Sequence, residues 1–182
     1  MRTCENHVMH RAYIGLGSNI EPERHLPAAV AALGELGSVA AVSCVYESAA
    51  AGDATQPNYL NAAVLLSTRL SAEELCRVEL PMIESRLGRV RDPRNKSAAR
   101  TIDLDLVLFD NAVLRVGHRQ IPDPDILERS FLAVPLAEID GEYIHPQTGE
   151  RLAVIAERTI VAGTKLQQRP EVVLRTLRNR KR

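Results

Sequence analysis

The sequence predicts an α+β fold, on three observations. Apolar and β-branched runs of strand length alternate with stretches of helical periodicity. Those stretches follow one another as strand, helix, strand, strand, helix, strand. The 182 residues, 45% apolar and 25% charged, suit one globular domain with a sizeable core.

Ala12-Tyr13-Ile14-Gly15-Leu16 reads as the first strand, closed by the turn-forming Gly17-Ser18-Asn19. Leu26, Ala29, Val30, Leu33 and Leu36 then recur at helical spacing, with Pro22 or Pro27 near the first turn and Gly37 as the stop. Val39 to Tyr46 is the second strand, Ser48 to Asp53 a loop of small residues, and Tyr59 to Thr68 a third strand rich in Val and Leu. Ser71-Ala72-Glu73-Glu74 is a capping box, in which the serine hydroxyl and the Glu74 carboxylate satisfy each other's backbone amides. It opens a helix to about Leu87. Pro81 lacks an N–H and costs roughly 3 kcal/mol inside a helix, so a bend is expected there. Thr101 to Phe109 is the fourth strand, with Ile102, Leu104, Leu106 and Leu108 on one face; it is expected to be central and covered on both sides. A Pro-rich turn over residues 121–125 precedes a helix from Ile126 to about Asp140, with Pro135 inside it. The β-α-β-β-α-β order is the split-βαβ, ferredoxin-like arrangement: an antiparallel sheet with two crossover helices on one face and later elements on the other.

Bulk properties narrow the function. No apolar run approaches the ~20 residues of a membrane span, and the first ten residues hold no apolar stretch of the kind that opens a secretory signal, so a cytoplasmic protein is expected. Cys4, Cys44 and Cys76 are odd in number and scattered, as reduced thiols would be. The net charge of zero conceals an asymmetry: from Arg151 to Arg182 nine Lys/Arg stand against Glu157 and Glu171, so residues 1–150 carry a matching negative excess. An acidic body cannot draw in a polyphosphate by its overall field, and a local basic patch must do so. The basic end lacks interleaved aromatics, which argues against a nucleic-acid partner. The expected organisation is an N-terminal extension at residues 1–10, a domain at 11–160 and a basic tail at 161–182, frayed from Arg175, in a monomeric chain.

The basic patch is present. Arg89, Arg91, Arg94, Lys96 and Arg100 run directly into the fourth strand, which carries Asp103 and Asp105. Alternation places both carboxylates on one face, about 6.6 Å apart along the backbone. Like charges so placed raise each other's pKa, and uncompensated carboxylates on an apolar strand are very costly. Either the arginines or a divalent metal can compensate them. Magnesium is usually held by one or two carboxylates together with phosphate oxygens, and arginine suits phosphate. The juxtaposition points to magnesium-dependent nucleotide chemistry, with a structural ion-pair network as the alternative. Gly15-Leu16-Gly17 lacks the third glycine of a dinucleotide fingerprint, and no P-loop is present. Cys4, His7 and His10 lack the fourth ligand of a structural zinc site. In a chain with 3% aromatic residues, Tyr59 and Phe131 are candidate stacking surfaces, and Asn61 can both donate to and accept from a heterocycle edge.

From about Tyr13 to Pro146 the chain resembles the 6-hydroxymethyl-7,8-dihydropterin pyrophosphokinases of folate biosynthesis. The segment Lys96-Ser97-Ala98-Ala99-Arg100-Thr101-Ile102-Asp103-Leu104-Asp105-Leu106-Val107 fits their signature. The segments Gly15 to Asn19, Gln56 to Val64 and Glu128 to Ile139 are similar to further blocks in order and spacing. The resemblance implies transfer of the β,γ-pyrophosphoryl group of MgATP to the pterin hydroxymethyl group, with release of AMP. It implies that Asp103 and Asp105 hold two Mg²⁺ ions, that Arg89 and Arg100 engage the phosphates with Arg91 in support, and that Leu106, His118, Arg119 and Asp123 belong to the ATP site. Tyr59 and Phe131 would sandwich the pterin, while Ser48, Asn61 and the backbone near Ala50 and Ala51 read its edge; Glu84 matches a helix carboxylate nearby. The basic loop at residues 88–100 is expected to close over ATP. Four departures stand out: Pro122-Asp123 where the family usually has Pro-His, Ala49-Ala50 in place of a Pro pair, no tryptophan near Ser97, and one extra residue in the stretch before Arg100. A catalytically weak paralogue that binds pterin or nucleotide is the alternative, and an RNA-binding ferredoxin-like module a more distant one.

Overall fold

The ten residues of β4 (Tyr59–Thr68), nearly all buried, form the axis of the sheet. The computed structural model describes residues 8–50, 56–90, 98–162 and 166–174. Strand β1 (His10–Ser18) runs antiparallel to β4 from His10↔Thr68 to Ser18↔Leu60, and β5 (Asp103–Phe109) runs antiparallel to the other side of β1. On the far side of β4 lie β2 (Ser38–Val42) and β3 (Tyr46–Ser48), also antiparallel.

Alternation along these strands sorts the core into two layers. Ile14 and Leu16 of β1, Val64 and Leu66 of β4, and Leu104 and Leu106 of β5 pack against α1 (Pro22–Leu33) and the helical segment from Ala72 to Arg86. Tyr13, Ala63, Leu65 and Val107 pack on the opposite face against α4 (Ser130–Asp140) and α5 (Leu152–Ala162). Burying one Leu or Ile side chain contributes roughly 1.5–3 kcal/mol, so both layers are substantial. The two crossover helices share one face of an antiparallel sheet and the later helices cover the other, as the element order predicts.

Several elements depart from expectation. The first strand continues past Leu16 to Ser18, so Gly17 and Ser18 lie within β1 rather than in a turn. The second strand is broken at Ser43, whose hydroxyl accepts the Ala63 N–H at 2.9 Å in place of a ladder carbonyl, and β3 begins only at Tyr46. The helix opened by the Ser71 capping box is α2 (Ala72–Glu74), a π-helical turn (Leu75–Glu79) and α3 (Leu80–Arg86). Pro81 cannot donate to the Arg77 carbonyl and its ring crowds it, so the preceding turn widens and the Leu80 N–H reaches back to Leu75. The expected helix from Ile126 begins at Ser130; a 3-10 turn (Pro124–Leu127), capped by the Asp123 carboxylate on the Asp125 N–H at 2.9 Å, comes first.

Strand β5 is covered on both faces, but it ends the sheet order β5-β1-β4-β3-β8, in which β8 is Gln167–Gln168, instead of occupying its centre. Its outer edge is satisfied in other ways: the Leu104 N–H donates to the Glu84 carboxylate at 2.9 Å, and the Val107 carbonyl accepts the Asp123 N–H at 2.9 Å. A register shift opposite Tyr13 and Ile14 leaves Val107 as an extra residue, which turns Leu108 to the α4 side, away from Leu104 and Leu106. The hairpin β6 (Leu114–Val116) and β7 (Arg119–Ile121), turning at Gly117 with φ 62°, was not foreseen. Nor was β8 (Gln167–Gln168), which joins the sheet on β3, although residues beyond 160 were expected to be tail. The frayed end expected from Arg175, and Cys4 and His7, lie outside the described residues; His10 belongs to β1 and pairs with Asp110 at 2.7 Å. Among the described residues no helix is long and apolar enough to cross a membrane.

His145, 1% exposed in the turn between α4 and α5, has no hydrogen-bond partner for either ring nitrogen among the described residues. Burial lowers its pKa below the ordinary 6.5. The unfolded chain therefore takes up this proton first: the contribution to stability is complete above about pH 6.5 and is lost as pH falls below it. Thermal unfolding from pH 7.5 to 5.5 is expected to show a smaller loss of Tm for His145→Phe than for the parent chain; equal losses would contradict it.

Candidate active site

The site is built on one end of the sheet, on the face that carries Asp103 and Asp105. Cross-strand register places Gly17 beside Asp103 on one side and beside Asn61 on the other, while Gly15 faces Asp105. A Cβ at Gly15 would stand 3.0 Å from Leu132 Cδ1, and one at Gly17 would lie 3.5 Å from Asn61 Oδ1 and 3.8 Å from the Tyr59 ring. The glycines thus keep the floor low where α4 and the polar side chains converge.

Two cavities meet above this floor. One, of about 350 Å³, is bounded by Ser48, Tyr59, Asn61 and Phe131. The other, of about 440 Å³, is lined by Arg89, Arg115, His118 and Arg119. Arg100, Asp103, Asp105 and Asp123 belong to the walls of both. Each volume falls in the range of small-molecule sites.

Arginines from three segments compensate the carboxylates. Arg89, just after α3, and Arg100, just before β5, both pair with Asp103, whereas Arg119 on β7 pairs with Asp105. Arg89 is itself held by Glu84, which is 1% exposed, and donates to the Ile102 carbonyl at 3.2 Å. Burial would raise the Asp103 pKa, but the two guanidiniums outweigh it and hold it below the usual carboxylate value. Burial and the neighbouring Asp103 charge raise the pKa of Asp105, and Arg119 offsets them only in part. Two carboxylates of like chemistry are thereby pushed apart by unequal surroundings. For Asp123 burial dominates and raises the pKa, against the Asp125 amide that steadies the anion.

On the opposite side, Tyr59 of β4 and Phe131 in the first turn of α4 present their rings to the smaller cavity. The Asn61 amide nitrogen donates to Ser48 Oγ at 2.9 Å and to the Tyr46 carbonyl at 3.3 Å, leaving its oxygen toward Gly17. Burial raises the Tyr59 pKa, so its hydroxyl stays neutral.

The structure brings together Arg89, Arg100, Asp103, Asp105, His118, Arg119 and Asp123 on one side and Ser48, Tyr59, Asn61 and Phe131 on the other. Leu106 is not among them: it points to the far face and is buried against the α1 side of the core. Ala49 rather than Ala50 lines the smaller cavity. Arg91 and Ala51 lie outside the described residues. Sequence reasoning missed Arg115 and Asp125, both cavity-lining, and above all Asn19. Buried at the end of β1, Asn19 accepts the Arg100 N–H at 2.7 Å and donates to Gln56 Oε1 and the Pro57 carbonyl, each at 3.3 Å. One amide joins segments from both cavities. The only signal was its place in the Gly15–Asn19 block, since its partners are 37, 38 and 81 residues away.

Comparison with known proteins agrees with this geometry. The profile of the family described as 7,8-dihydro-6-hydroxymethylpterin-pyrophosphokinase (HPPK) matches residues 13–141. A Synechocystis protein named 2-amino-4-hydroxy-6-hydroxymethyldihydropteridine pyrophosphokinase is 36% identical over 152 residues, covering 82% of this chain and 76% of its own. A Bacillus subtilis protein of the same name is 40% identical over 131 residues, covering 70% of this chain and 77% of its own. Among solved structures, wild-type Plasmodium falciparum HPPK-DHPS with pteroate superposes with a TM-score of 0.65 at 12% identity, a likeness of fold. It covers 85% of this chain, which spans only 43% of that longer one. A profile match over most of the chain, together with relatives at this identity over most of their length, shows that the chain belongs to the 7,8-dihydro-6-hydroxymethylpterin-pyrophosphokinase family.

Proposed function

We propose that this protein transfers the terminal pyrophosphoryl group of ATP to the hydroxymethyl group of 7,8-dihydro-6-hydroxymethylpterin, a step of folate biosynthesis. The observation that carries the reading is the shared wall: Asp103, Asp105 and Arg100 stand where an aromatic, amide-bearing cavity meets an arginine-lined one. In this reading the hydroxymethyl oxygen attacks the β-phosphorus, the bond to the bridging α,β-oxygen breaks, and AMP leaves with that oxygen. The hydroxyl proton passes to solvent.

Asp103 and Asp105 would hold magnesium, two ions by family resemblance, and the donor set fits: hard carboxylate oxygens on one face, in position to share an ion with phosphate. Among the described residues no cluster of three or more His, Cys, Asp or Glu could hold a metal unaided, so substrate oxygens and water would complete any shell. Bound there, magnesium would supply charge neutralisation at the phosphates and polarise the attacking alcohol. Phosphoryl chemistry needs positioning and charge stabilisation more than covalent help. Arg89, Arg100 and Arg119, already drawn to the carboxylates, would turn to phosphate oxygens, and the family resemblance implies Arg91 in support. Asp123, where the family usually has histidine, is turned to the Asp125 amide; Arg115 and Arg119 supply cations beside it, and His118 lines the same cavity. Tyr59 and Phe131 would stack on the pterin, while the Asn61 oxygen and Ser48 read its edge. A cytoplasmic, monomeric protein completes the proposal.

Incubation with ATP, magnesium and the dihydropterin alcohol is expected to yield AMP in step with pterin diphosphate. ADP as the nucleotide product would refute the reading, and pterin binding with no AMP would favour a non-catalytic paralogue, the outcome that Asp123 favours. Asp103→Asn or Asp105→Asn is expected to lower turnover by roughly 10²–10³-fold, the loss typical of a key electrostatic group; Tm should fall for Asp103→Asn, which takes one anion from Arg89 and Arg100, and change little for Asp105→Asn, whose charge its surroundings already disfavour. Wild-type turnover in either variant would remove them from the mechanism. Asn19→Ala, which breaks the amide bridge, is expected to cost about 1–3 kcal/mol of stability and to raise KM for both substrates. An unchanged KM for either one would show that the bridge does not serve both cavities.

A further inference from the structure

We infer that the C-terminal segment 166–174 is a strap that fixes the wall of the smaller cavity, with Arg169 as its positioning residue. The inference rests on the pterin reading of that cavity. Strand β3 is three residues long and ends at Ser48, which lines the cavity. So short a strand is weakly held by one neighbour alone. Strand β8 gives it a second: Gln168 pairs with Tyr46, Gln167 with Glu47, and the Arg169 N–H donates to the Val45 carbonyl at 2.8 Å. Val172, 7% exposed and packed into the α1 side of the core, anchors the strap, and its N–H closes a turn onto the Arg169 carbonyl at 3.1 Å.

The side chains extend this grip to the strand ends behind the cavity wall. Arg169 Nη1 lies 2.5 Å from Glu47 Oε2, while its Nε lies 2.5 Å from Glu171. The other Glu47 oxygen accepts from Asn58 Nδ2 at 2.8 Å. Glu47 precedes Ser48 and Asn58 precedes Tyr59, and Ser48 and Tyr59 are paired across β3 and β4. The chain Arg169–Glu47–Asn58 therefore ties together the two strand ends that present Ser48 and Tyr59. Asn58 and Arg169 both hold the Glu47 carboxyl below its ordinary pKa, so it is a full anion between two donors. The phosphate side is remote from this device, because β4 and β1 separate β3 and β8 from β5 in the sheet.

A positioning role on one cavity predicts a selective effect. Calorimetric titration of the full chain with the dihydropterin alcohol is expected to give about a tenfold higher Kd for Arg169→Glu, which sets like charges face to face. Affinity for a non-hydrolysable ATP analogue with magnesium should remain within about twofold. The double exchange Glu47→Arg with Arg169→Glu, made together with Glu171→Gln so that the new carboxylate at position 169 meets no like charge, re-forms the pair in reverse, and Asn58 can rotate its amide to offer oxygen; pterin Kd should return to within about threefold of the parent value. Equal loss of both ligands, no loss of pterin, or failure of the exchange to restore binding would overturn the proposal. If Arg169→Glu does not fold, Arg169→Gln is judged by the same comparison of two ligands. A parent protein that binds the ATP analogue but no pterin would instead overturn the substrate reading on which the strap rests.

Discussion

The arrangement depends on how two carboxylates are tolerated on a buried strand. Asp103 and Asp105 would repel one another and unsettle β5 if left alone, and three arginines from three separate segments meet them. Each pairing also orders chain: Arg89 fixes the exit of α3, Arg100 the approach to β5, and Arg119 the hairpin that leans over the strand. Charge compensation and site assembly are one event here. The same guanidiniums that stabilise the resting carboxylates are those that a polyphosphate requires.

That economy explains why β5 can lie at an edge. A strand with exposed ladder groups invites pairing with another chain, but Glu84 and Asp123 occupy those groups from above and below. Glu84 thereby has two duties, accepting the Leu104 amide and holding Arg89. A carboxylate so deeply buried would be very costly alone; between an amide and a guanidinium it becomes part of the frame.

Much of this was legible in the sequence, because period-two alternation and helical spacing are local signals. The shared face of Asp103 and Asp105, the capping box at Ser71 and the two-layer packing all follow from such patterns. Other features are invisible to local reading. The edge position of β5 depends on which strand chooses β1 as a neighbour. Strand β8 is two glutamines with no apolar pattern, and it exists only because β3 offers an unpaired side. Ser43 interrupts a strand through a hydroxyl that imitates a carbonyl. Asn19 joins residues that become neighbours only after folding, and Leu106 was set among ATP contacts although its parity sends it to the far face.

The wide turn at Leu75–Glu79 bears on how such chains can vary in length. Each residue of an α-helix advances the azimuth by about 100°, and the π turn absorbs one residue without passing that rotation on to Glu84. A homologue shorter by one in this stretch could wind as an unbroken α-helix and still deliver its carboxylate to the strand. No comparable slack exists between Arg100 and Asp105, where a single inserted residue would exchange the two faces. Insertions and deletions should therefore accumulate in the helix and be excluded from the strand beside it.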